Sequence, residues 1–152
     1  MTGQTYSEFA EPAREHIPAI SRAHIEQLEK SDADAVWQLV RMHHIVLHTV
    51  GRKSGNVHKV ALPYWSDPEG RRIVVGSFSG AEKHPAWFLN LSDTAANPEV
   101  FVHHQHGTYR SVPEILEGEE YHRIWALLVA DRPNYADYAT RTTRQIPLIR
   151  LA

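Results

Sequence analysis

Gly51-Arg52-Lys53-Ser54-Gly55 places two cations and a hydroxyl in a glycine-bounded turn, and His58 and Lys59 follow closely. Glycines let backbone N–H groups approach a ligand, an arginine engages an anion bidentately and a lysine adds a point charge. A phosphate or carboxylate therefore suits this turn. A solvated basic hairpin is the plainer reading of the same residues. A nucleotide-binding P-loop is excluded, because that motif needs a Gly-Lys pair with an earlier glycine at fixed spacing.

A second run, Gly76-Ser77-Phe78-Ser79-Gly80-Ala81-Glu82-Lys83-His84-Pro85-Ala86-Trp87, leads from a predicted strand through a glycine-rich loop into a helix. Backbone donors at the loop and helix start present partial positive charge to an anion, and Lys83 reinforces them. The alternative is a loop before a Pro-initiated helix whose Trp87 fills the core. Tyr135 and Tyr138 lie three apart, so on a helical turn their phenols share a side. Such side chains suit a flat aromatic ligand, and a phenol can donate a hydrogen bond or relay a proton; half-buried packing is the other reading.

The chain's eleven histidines raise a metal hypothesis. In a strand, His103 falls on one face and His104 and His106 on the other, and no His-Glu-x-x-His helix motif occurs. No metal site is expected, and these histidines read as polar residues on a solvent face. Cysteine is absent, which removes disulfides and thiolate chemistry. No Gly-x-Ser-x-Gly nucleophile elbow is present, which argues against a common serine hydrolase.

The elements that must position these groups can be read from periodicity. Glu11 to Lys30 has the spacing of an amphipathic helix, with Pro12 and Pro18 blurring its start. Ser31 and Asp34 resemble a capping box that opens a short helix through Ala35, Val36, Leu39 and Val40, although the same residues could form an ordered arm. After Met42 the character changes. His44 to Val50, Val57 to Trp65 and Arg71 to Phe78 are rich in β-branched and aromatic residues and read as a meander. Asp67-Pro68-Glu69-Gly70 is a hairpin turn. Pro85 suits the first residue of a helix through Trp87, Phe88 and Leu91, and Asn97-Pro98 ends the connection. A fourth strand holds Val100 to His103, and a fifth runs from Thr108 to Leu116 with Pro113 marking an edge or bulge. Glu119 to Val129 is helical and stops at Pro133. A short Tyr135 to Thr140 segment follows, and Ile146 to Leu151 forms a sixth strand.

These elements predict an α+β fold, a small, mostly antiparallel β-barrel of about six strands with flanking helices. Residues 1–42 read as an N-terminal helical arm and 43–152 as the barrel, together one globular unit. The chain has 152 residues, 42% of them hydrophobic and 22% charged, with a net charge of -2. One domain fits that length, and the charge gives no case for nucleic acid. No apolar run reaches the roughly 20 residues of a membrane span, and residues 2–8 lack a signal-peptide apolar region, so the expected location is cytoplasmic.

Taken together, the Gly51–Gly55 turn, the block from Gly76 to Asn90, Asn97-Pro98-Glu99-Val100 and the ending Pro133 to Leu148 resemble the deazaflavin (F420)-dependent nitroreductase family. Order and spacing match as well, over roughly residues 43–152. The resemblance implies a split β-barrel of the FMN-binding kind and the coenzyme F420, whose tail carries phosphate and glutamates. By that resemblance Arg52, Lys53, Ser54 and Lys59 meet the anionic tail. Ser77, Phe78, Ser79, Gly80, Lys83 and Trp87 help bind the coenzyme. Tyr135 and Tyr138 line the acceptor pocket with Tyr64 and Phe78, and Ser77 hydrogen-bonds the acceptor.

A deazaflavin has carbon where a flavin has its reactive ring nitrogen, so the implied activity is hydride transfer from F420H2 to a quinone, nitroaromatic or activated alkene. Two departures stand out. Phe78 replaces a lysine of several relatives, and Pro63-Tyr64 alters the second strand, where other members carry a tyrosine at the earlier position. An FMN-dependent split-barrel reductase and a non-enzymatic lipid- or haem-binding barrel are the alternatives. Peripheral contact with a membrane is compatible with the sequence, and the oligomeric state is not legible in it.

Overall fold

In the computed structural model the described residues are 17–39, 41–77 and 80–152. The helix expected from Glu11 is described from Ile17 to Lys30 as α1, while its first residues, Val40, Phe78 and Ser79 lie outside the described set. Helix α2 covers Asp34–Trp37, and strand β1, Gln38–Leu39, follows it. Strands β2 (Met42–Val50), β3 (Val57–Ser66) and β4 (Arg72–Val75) form the meander, and helix α3 (Ala86–Ser92) crosses to β5 (Val100–His104) and β6 (Gly107–Ser111). The short β7 (Glu114–Ile115), helices α4 (Gly118–Asp131) and α5 (Asn134–Thr140), and β8 (Leu148–Leu151) complete the chain.

The strands form one antiparallel sheet in the order β6-β5-β2-β3-β4-β8-β7, with β1 pairing at the start of β2. This is the expected split barrel, with eight strands instead of six. Val112-Pro113 divides the expected fifth strand, since proline cannot donate to a ladder; β6 pairs with β5, and β7 pairs with β8. Pro147 likewise delays the last strand to Leu148, and β4 ends at Val75.

The short second helix also differs from expectation. Ser31 Oγ accepts from the Ala33 N–H at 3.1 Å and makes no helix cap, because α2 starts only at Asp34 behind an uncapped Ala33. Leu39 is not helical: Gln38 and Leu39 pair with His43 and Met42, so β2 satisfies backbone groups that another helical turn would have used. Pro85 is the residue before α3 rather than its first.

Alternation divides the sheet into two faces. Ile45, Leu47, Val74, Val102, Ile149 and Leu151 form the inner core, with Leu91 of α3. On the outer face α1 and α2 cover Val46 through Ile25, Leu28 and Trp37, while α4 and α5 cover Ile73 and Leu148. Because β2 and β4 both run antiparallel to β3, they point the same way along it, and a glycine-rich segment follows each, after Val50 and after Val75.

Asp67 fixes the β3–β4 turn and ties it to β8. Its Oδ1 accepts from the N–H groups of Glu69 (3.0 Å) and Arg71 (2.9 Å), while Oδ2 accepts from Arg71 Nε (3.0 Å) and the buried Arg150 Nε (3.1 Å). Burial disfavours the charge on Asp67, but Arg71 and the Glu69 N–H outweigh it and hold the carboxyl below its ordinary pKa. No helix among the described residues is long and apolar enough to cross a membrane.

His44 is buried beneath the N-terminal helices. Its Nδ1 lies 3.1 Å from the Met42 carbonyl, which can only accept, so that nitrogen carries the hydrogen. Its ring meets His24 edge-on at 5.0 Å. Burial first, and the adjacent His24 second, push its pKa down to about 4. A folded-state value below the unfolded one near 6.5 means stability that is full above about pH 6.5 and is lost as pH falls toward 4, by roughly 3 kcal/mol. Thermal unfolding between pH 7 and 4 should show this loss, and His44→Gln, which cannot titrate, should reduce it.

Candidate functional site

The basic turn is held by side-chain amides. Gly51 N–H donates to the Asn56 carbonyl (2.7 Å) and Gly55 N–H to the Gly51 carbonyl (2.9 Å). A Cβ at Gly51 would stand 2.5 Å from Ser54 Oγ and 2.6 Å from His58 Nε2, so only glycine lets the turn close over these side chains. Arg52 donates to Asn90 Oδ1 from its backbone (3.2 Å) and from Nη1 (2.8 Å), which ties the turn to α3. Buried Asn97 accepts from the Val50 N–H (2.7 Å) and donates to the carbonyls of Val50 and Asn90 (2.8 Å each). Lys53 is exposed and makes no ion pair among the described residues.

The Gly76–Pro85 loop leads directly into α3, whose Asn90 holds the turn, so loop, helix and turn form one continuous rim. Gly80 has φ +76°, donates to the Ser77 carbonyl at 2.9 Å, and lies so near the Tyr138 carbonyl that a Cβ would stand 2.7 Å from it. Glycine is required there on both counts. Arg144, between α5 and β8, donates to the carbonyls of Gly76 (3.1 Å), Ser77 (2.9 Å) and Ala81 (2.9 Å), and Nη1 lies 3.2 Å from His84 Nδ1. Burial first, then the Arg144 charge, lower the His84 pKa. Ser77 is buried, Lys83 is exposed, and Trp87 is half-buried against the inner core.

The remaining predicted residues are not all gathered here. Lys59 projects from the outer face, where its Nζ pairs with Glu29 of α1 at 2.7 Å. Tyr64 sits on the inner face opposite His43, next to the Trp65–Ile73 pair and therefore far from the basic turn but beside the end of β4, with the Arg72 guanidinium 5.0 Å from its ring. Tyr135 is buried, with its hydroxyl 3.7 Å from Met42 Sδ. Tyr138 is half-buried, edge-on to Tyr135 at 5.8 Å and beneath the Arg141 guanidinium at 5.3 Å. The histidines pack rather than face solvent: His103 meets Trp37 at 5.1 Å and His104 meets Tyr109 at 5.9 Å, although His106 is exposed. Phe78 and Ser79 lie outside the described residues. Asn90, Asn97 and Arg144 were not singled out from the sequence, because their partners are mostly backbone groups.

The rim therefore offers exposed cations at Arg52, Lys53 and Lys83, and a glycine-lined edge on a fixed frame. This donor set suits a ligand with an acidic tail. The fold places the chain among the split-barrel reductases. The F420H(2)-dependent quinone reductase family model matches residues 20–151, and the chain belongs to that family.

An F420H(2)-dependent quinone reductase of Mycobacterium tuberculosis is 29% identical over 110 residues, covering 70% of this chain and 71% of that protein. A solved structure described as an F420-H2 dependent reductase (FDR-A) is 34% identical, with a TM-score of 0.60, over 72% of this chain and 93% of that one. Another, described as a domain-swapped dimer, is 32% identical with a TM-score of 0.63, over 86% of this chain and 96% of that one. F420 is the coenzyme that family membership implies, and the residues at the rim fit it.

Asn97→Ala would leave both polar groups of Val50 unpaired. We expect a loss of about 2–3 kcal/mol, or roughly 5–10 °C in Tm, measurable by thermal unfolding.

Proposed function

We propose that this protein is an F420H2-dependent reductase that delivers hydride to a quinone. The observation that carries this reading is the rim itself, where Asn90 and Asn97 fix a basic turn beside a glycine-rich loop. Arg52, Lys53 and Ser54 hold the acidic tail of the coenzyme, and Lys83 adds a further cation. Lys59 contributes only long-range charge while it is paired with Glu29. Ser77, Gly80 and Trp87 border the coenzyme, with Phe78 and Ser79 in the same loop. When bound, the reduced deazaflavin supplies a hydride and disfavours one-electron chemistry with oxygen.

The protein's part is placement and charge control. The rim holds the coenzyme so that an acceptor can lie against it. Ser77 and the Tyr138 phenol donate to the acceptor oxygen as negative charge arrives there, and Tyr138 is the proton donor. Tyr135 supports Tyr138 from behind through the edge-on contact. Tyr64, on the inner face beside the end of β4, borders the acceptor from within the barrel. A nitroaromatic or an activated alkene could accept the same hydride, since each concentrates charge on an oxygen that these donors can meet.

The test is coenzyme titration followed by turnover with F420H2 against a quinone, a nitroaromatic and an enone, beside nicotinamide donors. Tight binding of FMN or haem with no affinity for F420H2 would sink the proposal. Lys53→Ala should weaken coenzyme binding about tenfold, on the order of 1.4 kcal/mol. Tyr138→Phe should lower kcat by about 100-fold while leaving coenzyme affinity near the wild-type value, as loss of a proton donor would.

A further inference from the structure

A guanidinium only donates hydrogen bonds, so every group around Arg144 is an acceptor. Its Nε serves Ala81, Nη1 serves Gly76 and the His84 ring, and Nη2 serves Ser77. His84 Nδ1 must accept, which makes the imidazole neutral with its hydrogen on Nε2. No carboxylate among the described residues pairs with Arg144, and burial lowers its pKa. Among the described residues its charge meets carbonyl dipoles of one loop and no group of opposite sign.

This arrangement determines which way the loop's peptides face. In a planar trans peptide the N–H points away from the preceding carbonyl. With the Gly76 and Ala81 carbonyls drawn onto Arg144, the N–H groups of Ser77 and Glu82 point away from it. The loop is anchored at both sides: Gly76 N–H donates to the Pro147 carbonyl at 2.9 Å, and Gly80 abuts Tyr138 and Arg141. Arg144 thus sets positive charge behind the outward N–H groups of Ser77 and Glu82.

We propose that Arg144 is a positioning residue for the coenzyme, gathering the carbonyls of Gly76, Ser77 and Ala81 on one guanidinium so that the Ser77 and Glu82 N–H groups face the bound F420. The inference rests on the function proposed above. Failure of the unaltered protein to bind F420 would overturn that function, and would be seen before any variant is compared.

Arg144→Lys keeps the charge but cannot serve three carbonyls at once in the same geometry. With folding verified by circular dichroism, it should bind F420 about tenfold more weakly, while kcat at saturating coenzyme stays within about threefold of wild type. In the coenzyme-free variant, amide exchange across residues 76–84 should be faster than in wild type. Millimolar guanidinium should restore binding to Arg144→Ala and not to Lys53→Ala. Wild-type affinity or unchanged loop exchange in Arg144→Lys would overturn the inference. So would a folded Arg144→Ala that guanidinium does not rescue; if that variant does not fold, the lysine variant decides alone.

Discussion

The side-chain amide of Asn97 takes the place of a strand residue. Beyond His48 and Phe101 the β2–β5 ladder has no further residue pair, yet Val50 still has an N–H and a carbonyl to satisfy. Asn97 presents one acceptor and one donor to those two groups and gives its second donor to Asn90. Asn90 in turn holds Arg52 twice. The direction in which the basic turn leaves the sheet is therefore set by two neutral amides. That leaves the charge of Lys53 unspent in the fold and available to a ligand.

The treatment of charge differs between the two ends of the barrel. Around the β3–β4 turn, Asp67 is enclosed by Arg71 and Arg150, and Arg150 also meets Glu114 at 3.2 Å, so the cations there have carboxylates as partners. At the opposite rim Arg52 and Arg144 are held by amide or peptide oxygens and a histidine nitrogen, and neither forms an ion pair among the described residues. Peptide oxygens fix a guanidinium in place without cancelling its field. A structural cation needs neutralising, whereas a cation meant to attract an acidic coenzyme is better left with its charge.

Turn chemistry and alternation were legible in the sequence because both are local: the meander, the Asp67 turn, the Pro85 helix entry and the Pro133 stop all follow from neighbouring residues. Pro113 signalled an interruption. What it did not signal is that the two halves join opposite edges of the sheet, since strand order depends on distant partners. Proximity in sequence groups Lys59 with the basic turn, but the period of two puts it on the face covered by α1, where Glu29 meets it. Arg144 gave no signal, and Asn97 reads in the sequence only as the end of a connection, because the partners of both are mostly backbone groups, which every residue has.

The two tyrosines show how spacing alone can mislead about chemistry. A separation of three puts them on one side of α5, and the helix does bring their rings to 5.8 Å. Their environments differ, however. Tyr135 lies in the core with Met42, a site with little room for an acceptor, whereas Tyr138 keeps part of its surface and its carbonyl abuts Gly80. The same short helix thus touches the Gly76–Pro85 loop with its backbone and offers a phenol nearby. Arg144, six residues further on, reaches back to fasten that loop. If hydride and proton must arrive at one acceptor, the distance between their sources has to be fixed, and the abutment of the Tyr138 carbonyl on Gly80 fixes it within one short helix, which leaves Arg144 only to orient the loop's peptides.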